Sequence, residues 1–324
     1  MGRVSTRSEV AIDLQEPLSY APSMSEFLAL VELGSNAVRC LVVSIIPGVG
    51  FQVLREEREQ TRLSGGSPGV LPPAAVRETV RLVQRFLREV RREYQPRILA
   101  VATSAVRDAS NRRALLEKLR REVGVTVQVL SGEEEARLGA QAALSSLPFR
   151  DGVVADLGGG SLQLTKIRAG IITSASSFPL GAVRTTARFF KNDPPTEQEI
   201  QTLRQEIQRY CERDLPSLFK GEEVIGLGGT VRTLARMHLA AFDKQRSRQG
   251  LCLRRSDVSV LRERMEKLSV RDRMRLRGLK EERADIIFAG TVVIEEIMRL
   301  GDYRTLTVCT GGVRQGLLLR EAFG

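Results

Sequence analysis

The chain has 324 residues, 42% hydrophobic and 27% charged, which suits two packed domains and excludes a wholly disordered protein. Basic residues number 50 and acidic residues 39, net +11, and seven of the 50 are Lys, so 43 are Arg; Arg grips phosphate bidentately, and the excess points to a polyanionic partner. One histidine, His238, and four cysteines without a CxxC pair exclude a His-rich metal site, a Cys zinc cluster, and any Ser-His-Asp or Cys-His arrangement that does not use His238.

Residues 1–26, with Ser, Pro and charge but no apolar segment of the signal-peptide kind, are expected to form a mobile tail. Residues 27–33 and 38–46 are apolar runs separated by Gly34-Ser35-Asn36, which predicts strand, tight turn, strand. A third strand is expected near 51–55, then a loop over 61–73 that contains Ser64-Gly65-Gly66-Ser67. Val76, Val80, Val83, Leu87 and Val90 recur at spacings of four and three, one face of a helix. A short buried strand over 98–103, a helix from Asn111, a strand over 125–130 and a helix over 132–147 complete the first half.

Asp151-Gly152 marks a turn, followed by a strand over 153–157, the turn Gly158-Gly159-Gly160-Ser161, and a strand over 162–167. Glu32 and Asp156, 124 residues apart, close equivalent strands, and this internal repeat predicts two related lobes. Thr196 with Glu199 is a capping box that starts a helix. A strand over 224–227, the turn Gly228-Gly229-Thr230, helices over 231–239 and 283–300, a strand over 305–309 and a final helix after Gly311-Gly312 follow. Strands and helices alternate, so the class is α/β. Residues 244–283 carry 14 basic and 6 acidic side chains, net +8, either a solvated helical face or a wall steering phosphate into a cleft. No run of 18 apolar residues occurs, so no membrane span is expected, and the sparse cysteines suit a reducing cytoplasm.

Gly-rich turns present backbone N–H groups to anions. Two of these turns follow an acid, and an acid beside a polyanion is unfavourable unless it holds a cation or a nucleophilic water. No turn has the P-loop or dinucleotide spacing. Glu133-Glu134-Glu135 opens a helix, where acids complement the dipole, and one of them is placed to act as a general base.

Several segments in order resemble one known family. They are Leu33-Gly34-Ser35-Asn36-Ala37-Val38-Arg39, Ala102-Thr103-Ser104-Ala105-Val106-Arg107-Asp108-Ala109, Ser131-Gly132-Glu133-Glu134-Glu135-Ala136-Arg137 and Asp156-Leu157-Gly158-Gly159-Gly160-Ser161. Phe178 to Arg184, Gly228-Gly229-Thr230, Arg283-Ala284-Asp285 and Gly311 to Gly316 complete the set. It resembles the exopolyphosphatase and guanosine pentaphosphate phosphohydrolase family of the actin-like ATPase superfold, in its short form. The resemblance implies two ribonuclease-H-like lobes around a central cleft, lobe I over 27–148 and lobe II over 149–324, with the last helix free to pack back on lobe I. It implies hydrolysis of the terminal phosphoanhydride of inorganic polyphosphate or of guanosine pentaphosphate, assisted by Mg²⁺ or another divalent cation, and it allows a homodimer.

By motif position, Glu134 is the base, and Glu32 and Asp156 hold the cation. Gly34, Ser35, Asn36, Gly158, Gly159, Gly160, Ser161, Gly228, Gly229 and Thr230 cradle phosphates. Arg107 binds substrate phosphate, unless it only pairs with a neighbour such as Asp108. Glu32 stands where the family has Asp, one methylene shorter. Gln163 stands where the family has a catalytic Glu; it keeps an acceptor but loses the charge. A weakly active or non-catalytic sensor of polyphosphate or alarmone is the alternative this opens. Nucleic acid is not expected as a partner, because aromatics are 5% and Trp is absent.

Overall fold

The computed structural model describes residues 26–65, 69–214, 223–241 and 247–324. The expected N-terminal tail, Glu26 apart, lies outside them, as do Gly66, Ser67 and Pro68 of the first long loop.

The first sheet is built from β1 (Glu26–Leu33), β2 (Val38–Ile46), β3 (Gly50–Glu59), β4 (Arg97–Ala102) and β5 (Val127–Val129), in the order β3-β2-β1-β4-β5. The first three strands are antiparallel, and β4 and β5 add in parallel. Helices α1 (Pro73–Glu93), α2 (Ser104–Arg107) and α3 (Arg112–Lys118) belong to this half, and α4 (Gly132–Ser146) leaves it. Successive side chains of a strand point to opposite faces. Ala29, Val31 and Leu33 therefore pack with Val76, Val80, Val83 and Leu87 of α1, while Leu28 and Leu30 face the other way.

The second half runs β6 (Gly152–Leu157), β7 (Leu162–Arg168), β8 (Ile171–Phe178), α5 (Ala182–Phe189), α6 (Glu197–Asp214), β9 (Val224–Leu227) and α7 (Gly228–Ala241). It continues through β10 (Cys252–Arg254), α8 (Arg255–Glu266), α9 (Val270–Arg273), α10 (Ile287–Leu300), β11 (Thr305–Val308) and α11 (Val313–Phe323). Its sheet order, β10-β11-β9-β6-β7-β8, repeats the first lobe with β10 added at one edge. Each lobe thus carries an antiparallel hairpin pair whose first strand also starts a parallel run, the ribonuclease-H-like arrangement.

Two helices exchange lobes. Helix α4 precedes β6 in the chain yet lies on β6, β7 and β8, while α11, at the end of the chain, lies on β2 and β3. Leu28, Leu30, Leu41 and Val43 bury against Leu317 and Leu318 of α11. The two helices cross closely at Gly316, where a Cβ would stand 2.1 Å from the Leu138 carbonyl oxygen. A side chain there must push the helices apart.

Elements not anticipated are the helices α2, α5 and α9 and two strands, β8, with the sequence IITSASSF, and the three-residue β10. Neither of these strands shows the apolar alternation that marks one; each pairs with a preformed neighbour instead. Strand β3 runs on to Glu59 through REERE because β2 offers a complete ladder. The helix expected from residue 283 begins at Ile287, after a 3-10 turn over Glu281–Arg283.

Candidate active site

The two hairpin turns are built alike. Gly34 N–H donates to the Ala37 carbonyl at 3.1 Å, and Gly158 N–H donates to the Ser161 carbonyl at 3.0 Å. Among the described residues, the amides of Ser35, Asn36, Gly159 and Gly160 donate no hydrogen bond, so both turns present free N–H groups of the kind that cradle anions. The turns meet across the cleft. Ser35 Oγ lies 3.0 Å from Ser104 Oγ, and a Cβ on Gly160 would reach both hydroxyls at 2.5 Å. Asn36 Oδ1 accepts from Gln60 Nε2 at 3.2 Å, which leaves Asn36 Nδ2 buried without a partner. Thr230, at the start of α7, is buried, and Gly228 bridges Leu157 at the end of β6.

Glu32 continues the inward series Leu28, Leu30 to the end of β1, and Asp156 ends β6 on the face covered by α4. Both are buried. Cross-strand register places Arg39 opposite Glu32 and Gln163 opposite Asp156. Glu32 Oε2 meets Arg39 Nη1 at 3.2 Å and Arg314 Nε at 3.3 Å. Burial opposes its charge, but Arg39, Arg314 and Arg232 outweigh burial and hold its carboxyl below the usual range. Burial, reinforced by the Glu32 charge, raises Asp156 to about 6 against the pull of Arg232 and Arg39. Among the described residues, no hydrogen bond or ion pair engages the Asp156 carboxylate.

Glu134 and Glu135 have parted company. Glu134 is exposed and completes a capping box: its Oε2 accepts from Ser131 N–H at 2.7 Å, and Ser131 Oγ accepts from Glu134 N–H at 3.1 Å. These bonds hold its carboxyl below the usual range. A carboxylate committed to its own helix end does not face the cleft, so the structure does not bring Glu134, the expected base, together with Glu32 and Asp156. Glu135 is buried, and its Oε2 accepts from Arg107 Nη1 at 2.9 Å. Burial lifts its pKa to about 7 despite Arg107, with Asp156 and Glu32 adding to the rise. Arg107 is itself fixed by the Leu130 carbonyl at 3.0 Å and lies 3.4 Å from Asp108. Gln163 is buried and donates through Nε2 to Ser161 Oγ at 2.7 Å and Ser177 Oγ at 3.1 Å.

Arg232 on α7 and Arg283 after the 3-10 turn complete the cleft. Arg232 Nη1 donates to the Thr310 carbonyl at 3.2 Å and lies 3.5 Å from that of Gly311. Burial, then Arg39 and Arg314, lower its pKa to about 10. Arg283 reaches Thr230 Oγ1 at 3.5 Å and leaves Nε buried without a partner; burial, then Arg232, Arg58, Arg39 and Arg236, lower it to about 9. Arg39, Arg107, Arg232, Arg283 and Arg314 outnumber the buried acids Glu32, Glu135 and Asp156, with Glu56 at 2.6 Å from Arg314 and Asp108 at 3.4 Å from Arg107 as their further acidic partners, and the buried excess favours a polyanion. At the rim, Arg58–Glu282 and Arg62–Asp285, each at 2.7 Å, tie the lobes together. Of the basic segment, Arg283 lines the cleft, whereas Arg262 pairs with Glu295 at 2.9 Å and Arg273 is buried over Phe288.

The donor set does not make a resident cation site. Glu32, expected as a ligand, is held by two arginines, Gln163 opposite Asp156 is neutral, and among the described residues no three His, Cys, Asp or Glu side chains converge on one point. Asp156 keeps an uncommitted carboxylate, which is one ligand.

Twin α/β lobes of repeated sheet topology, facing turns with free amides and an Arg-rich floor are the frame of a phosphoanhydride hydrolase. Residues 41–323 match the Ppx/GppA phosphatase family, and the chain belongs to that family. It is 30% identical over 301 residues to exopolyphosphatase 1 of Mycobacterium leprae, covering 91% of this chain and 89% of that protein. The crystal structure of the Aquifex aeolicus Ppx/GppA family member superposes with a TM-score of 0.75 at 27% identity, covering 92% of this chain and 97% of that one. An exopolyphosphatase from Cytophaga hutchinsonii shares the fold with a TM-score of 0.84 at 24% identity, covering 92% and 98%.

Proposed function

We propose that this chain hydrolyses the terminal phosphoanhydride of inorganic polyphosphate, with Glu135 as the general base. The observation that carries this assignment is the enclosed Glu135 carboxylate, raised to about 7 beside two anion-binding turns. A base with a pKa near neutrality combines a useful ionised fraction with real proton affinity. Glu135 takes a proton from water attacking the terminal phosphorus. The turn amides and Arg232 and Arg283 bear the charge of the phosphate oxygens, and Arg107 holds Glu135 in place. Enzymes of this family are generally divalent-cation dependent. Magnesium, when present, would neutralise phosphate oxygens, with Asp156 the side chain placed to face it. Gln163 orients the Ser161 and Ser177 hydroxyls and takes no proton.

Phosphate release from long polyphosphate tests the assignment. The wild-type chain should release phosphate, and Glu135→Gln should be slower by roughly 10²–10⁴-fold. Equal rates would remove Glu135 as base, and no release by wild type would leave the sensor role expected from Gln163. Four cysteines in 324 residues, without a CxxC pair, support a cytoplasmic setting.

One feature favours guanosine pentaphosphate as a second substrate. An apolar groove of about 340 Å³, lined by Leu63, Val70, Leu71, Ala105 and Pro179 with Asp108 and Arg184 at its edge, opens beside Ser104. It is large enough for a base, whereas polyphosphate has nothing apolar to place there. Ala187→Glu in this groove should depress nucleotide turnover and leave polyphosphate turnover unchanged; equal effects on both would remove the groove as a base site.

A further inference from the structure

We propose that Arg232 is the fixed cation of the reaction centre and that the chain holds no resident divalent ion, so that any divalent ion enters with the phosphate chain. The proposal rests on the phosphohydrolase assignment above but is tested separately from it.

The ligand count comes first. A resident Mg²⁺ or Mn²⁺ needs oxygen ligands that are free to coordinate. Glu32 shares one carboxylate oxygen between Arg39 and Arg314. Directly across the hairpin from Asp156 stands Gln163, whose amide nitrogen is committed to two serine hydroxyls. Glu135 is held by Arg107 at 2.9 Å. Of the cleft acids among the described residues, only Asp156 keeps a carboxylate that no hydrogen bond or ion pair engages, and one monodentate ligand does not keep a divalent ion in place without substrate.

Arg232 occupies the complementary role. It springs from the first turns of α7, directly after the strand that pairs with β6, and its guanidinium is anchored by the backbone carbonyls before α11. Backbone anchoring fixes its position without neutralising its charge. Asp156 and Glu32 both act on it electrostatically, yet neither closes an ion pair with it. Its remaining N–H groups are therefore available to an anion lying between the two strand-end carboxylates. Arg39, Arg314 and Arg283 crowd it with like charge, which a bound phosphate would relieve. A guanidinium so placed supplies fixed positive charge where phosphate oxygens must sit, without a coordination shell.

The test uses the full-length chain and Mn²⁺ as the probe. Electron paramagnetic resonance should show no stoichiometric Mn²⁺ binding to the substrate-free protein, and binding should appear when polyphosphate is added. Gln163→Glu, which restores a second carboxylate, should tighten substrate-free Mn²⁺ binding by about 10-fold or more. Arg232→Gln should slow phosphate release by about 10²-fold and make the residual rate depend more steeply on Mg²⁺ than in wild type, because the phosphate oxygens beside Asp156 then lack their fixed cation. Arg232→Lys, which keeps the charge, should retain more activity than Arg232→Gln at equal thermal stability. One tightly bound Mn²⁺ per substrate-free wild-type chain would overturn the proposal, as would unchanged Mg²⁺ dependence in a folded Arg232→Gln protein. The Mn²⁺ measurements on substrate-free protein stand even if polyphosphate is not turned over.

Discussion

The two hairpin turns of this molecule share a backbone and differ in their partners. Gly34 and Gly158 make the same hydrogen bond three residues on, and the same free amides follow each. Across the ladder from each turn's strand-end acid, the resemblance stops. Opposite Glu32 the register supplies Arg39, and opposite Asp156 it supplies Gln163. Burial acts on both carboxylates, but in the first lobe three arginines overcome it, and in the second they do not. Duplicated strands therefore deliver one carboxylate held ionised and one poised to titrate. The difference teaches that backbone geometry sets where an acid stands, while burial and the charges gathered round it set its protonation.

The strongest perturbation of this arrangement is at Glu135, which α4 inserts beside both acids. Glu135→Gln should reduce kcat by roughly 10²–10⁴-fold while the turns still bind phosphate, as measured by phosphate release and by product inhibition. The comparison itself breaks or stands on a pair of amides. Asp156 moves from its ordinary 3.8 to about 6, so the folded state holds a proton that the unfolded chain has lost, and stability falls as pH rises from about 4 to about 6. Asp156→Asn removes that cost and should stabilise the protein by up to about 3 kcal/mol at pH 8, with little gain at pH 4. Glu32 has the opposite sign. Its lowered pKa contributes stability above the ordinary carboxylate value, and this is lost as pH falls through the folded value. Glu32→Gln should thus destabilise at pH 8, by roughly 2 kcal/mol, with the loss shrinking in acid. Urea midpoints of both variants at the two pH values check the signs; shifts in the same direction would erase the distinction between the lobes.

A smaller effect sharpens the role of Arg107. It holds Glu135 below where burial and the two acids would place it. The acid limb of kcat/KM, set by ionisation of Glu135, should lie near pH 7 and move to higher pH in Arg107→Gln. An unmoved limb would mean that Glu135 is not the group titrating. The smallest effect belongs to Glu134. Glu134→Gln should leave the rate within a few-fold and cost at most about 1 kcal/mol in thermal stability, since a glutamine still satisfies part of the capping box.

Much of this was legible beforehand. Apolar runs and Gly turns located both hairpins, and the spacing of Val76, Val80, Val83, Leu87 and Val90 located α1, where all five are buried. The site was less legible, for identifiable reasons. Thr196 and Glu199 were read as a capping box, and the structure forms one, with Thr196 N–H donating to Glu199 at 2.8 Å. The same rule applied to Ser131 and Glu134 would have assigned Glu134 to the cap and left Glu135, one helical step round, to face the cleft. That signal was present and unused. Arg232 gave no comparable signal, because its role depends on the carbonyls of Thr310 and Gly311, distant in sequence. The basic run over 244–283 left two readings open that charge counts do not separate, because they do not reveal that Arg262 lies behind α10 or that Arg273 is buried.

Local pattern alone was enough for most of the elements, the α/β class, the twin turns and the acid at the end of each, because strand alternation, turn chemistry and helix periodicity act over a few residues. Which acid is charged, which glutamate looks inward and which arginine faces them depended on contacts between distant segments. Desolvation and Coulomb interactions are set by neighbours in space, and here Glu135 and Arg314 arrive on two helices that cross from one lobe to the other, to meet Arg39 of β2 and Arg232 of α7.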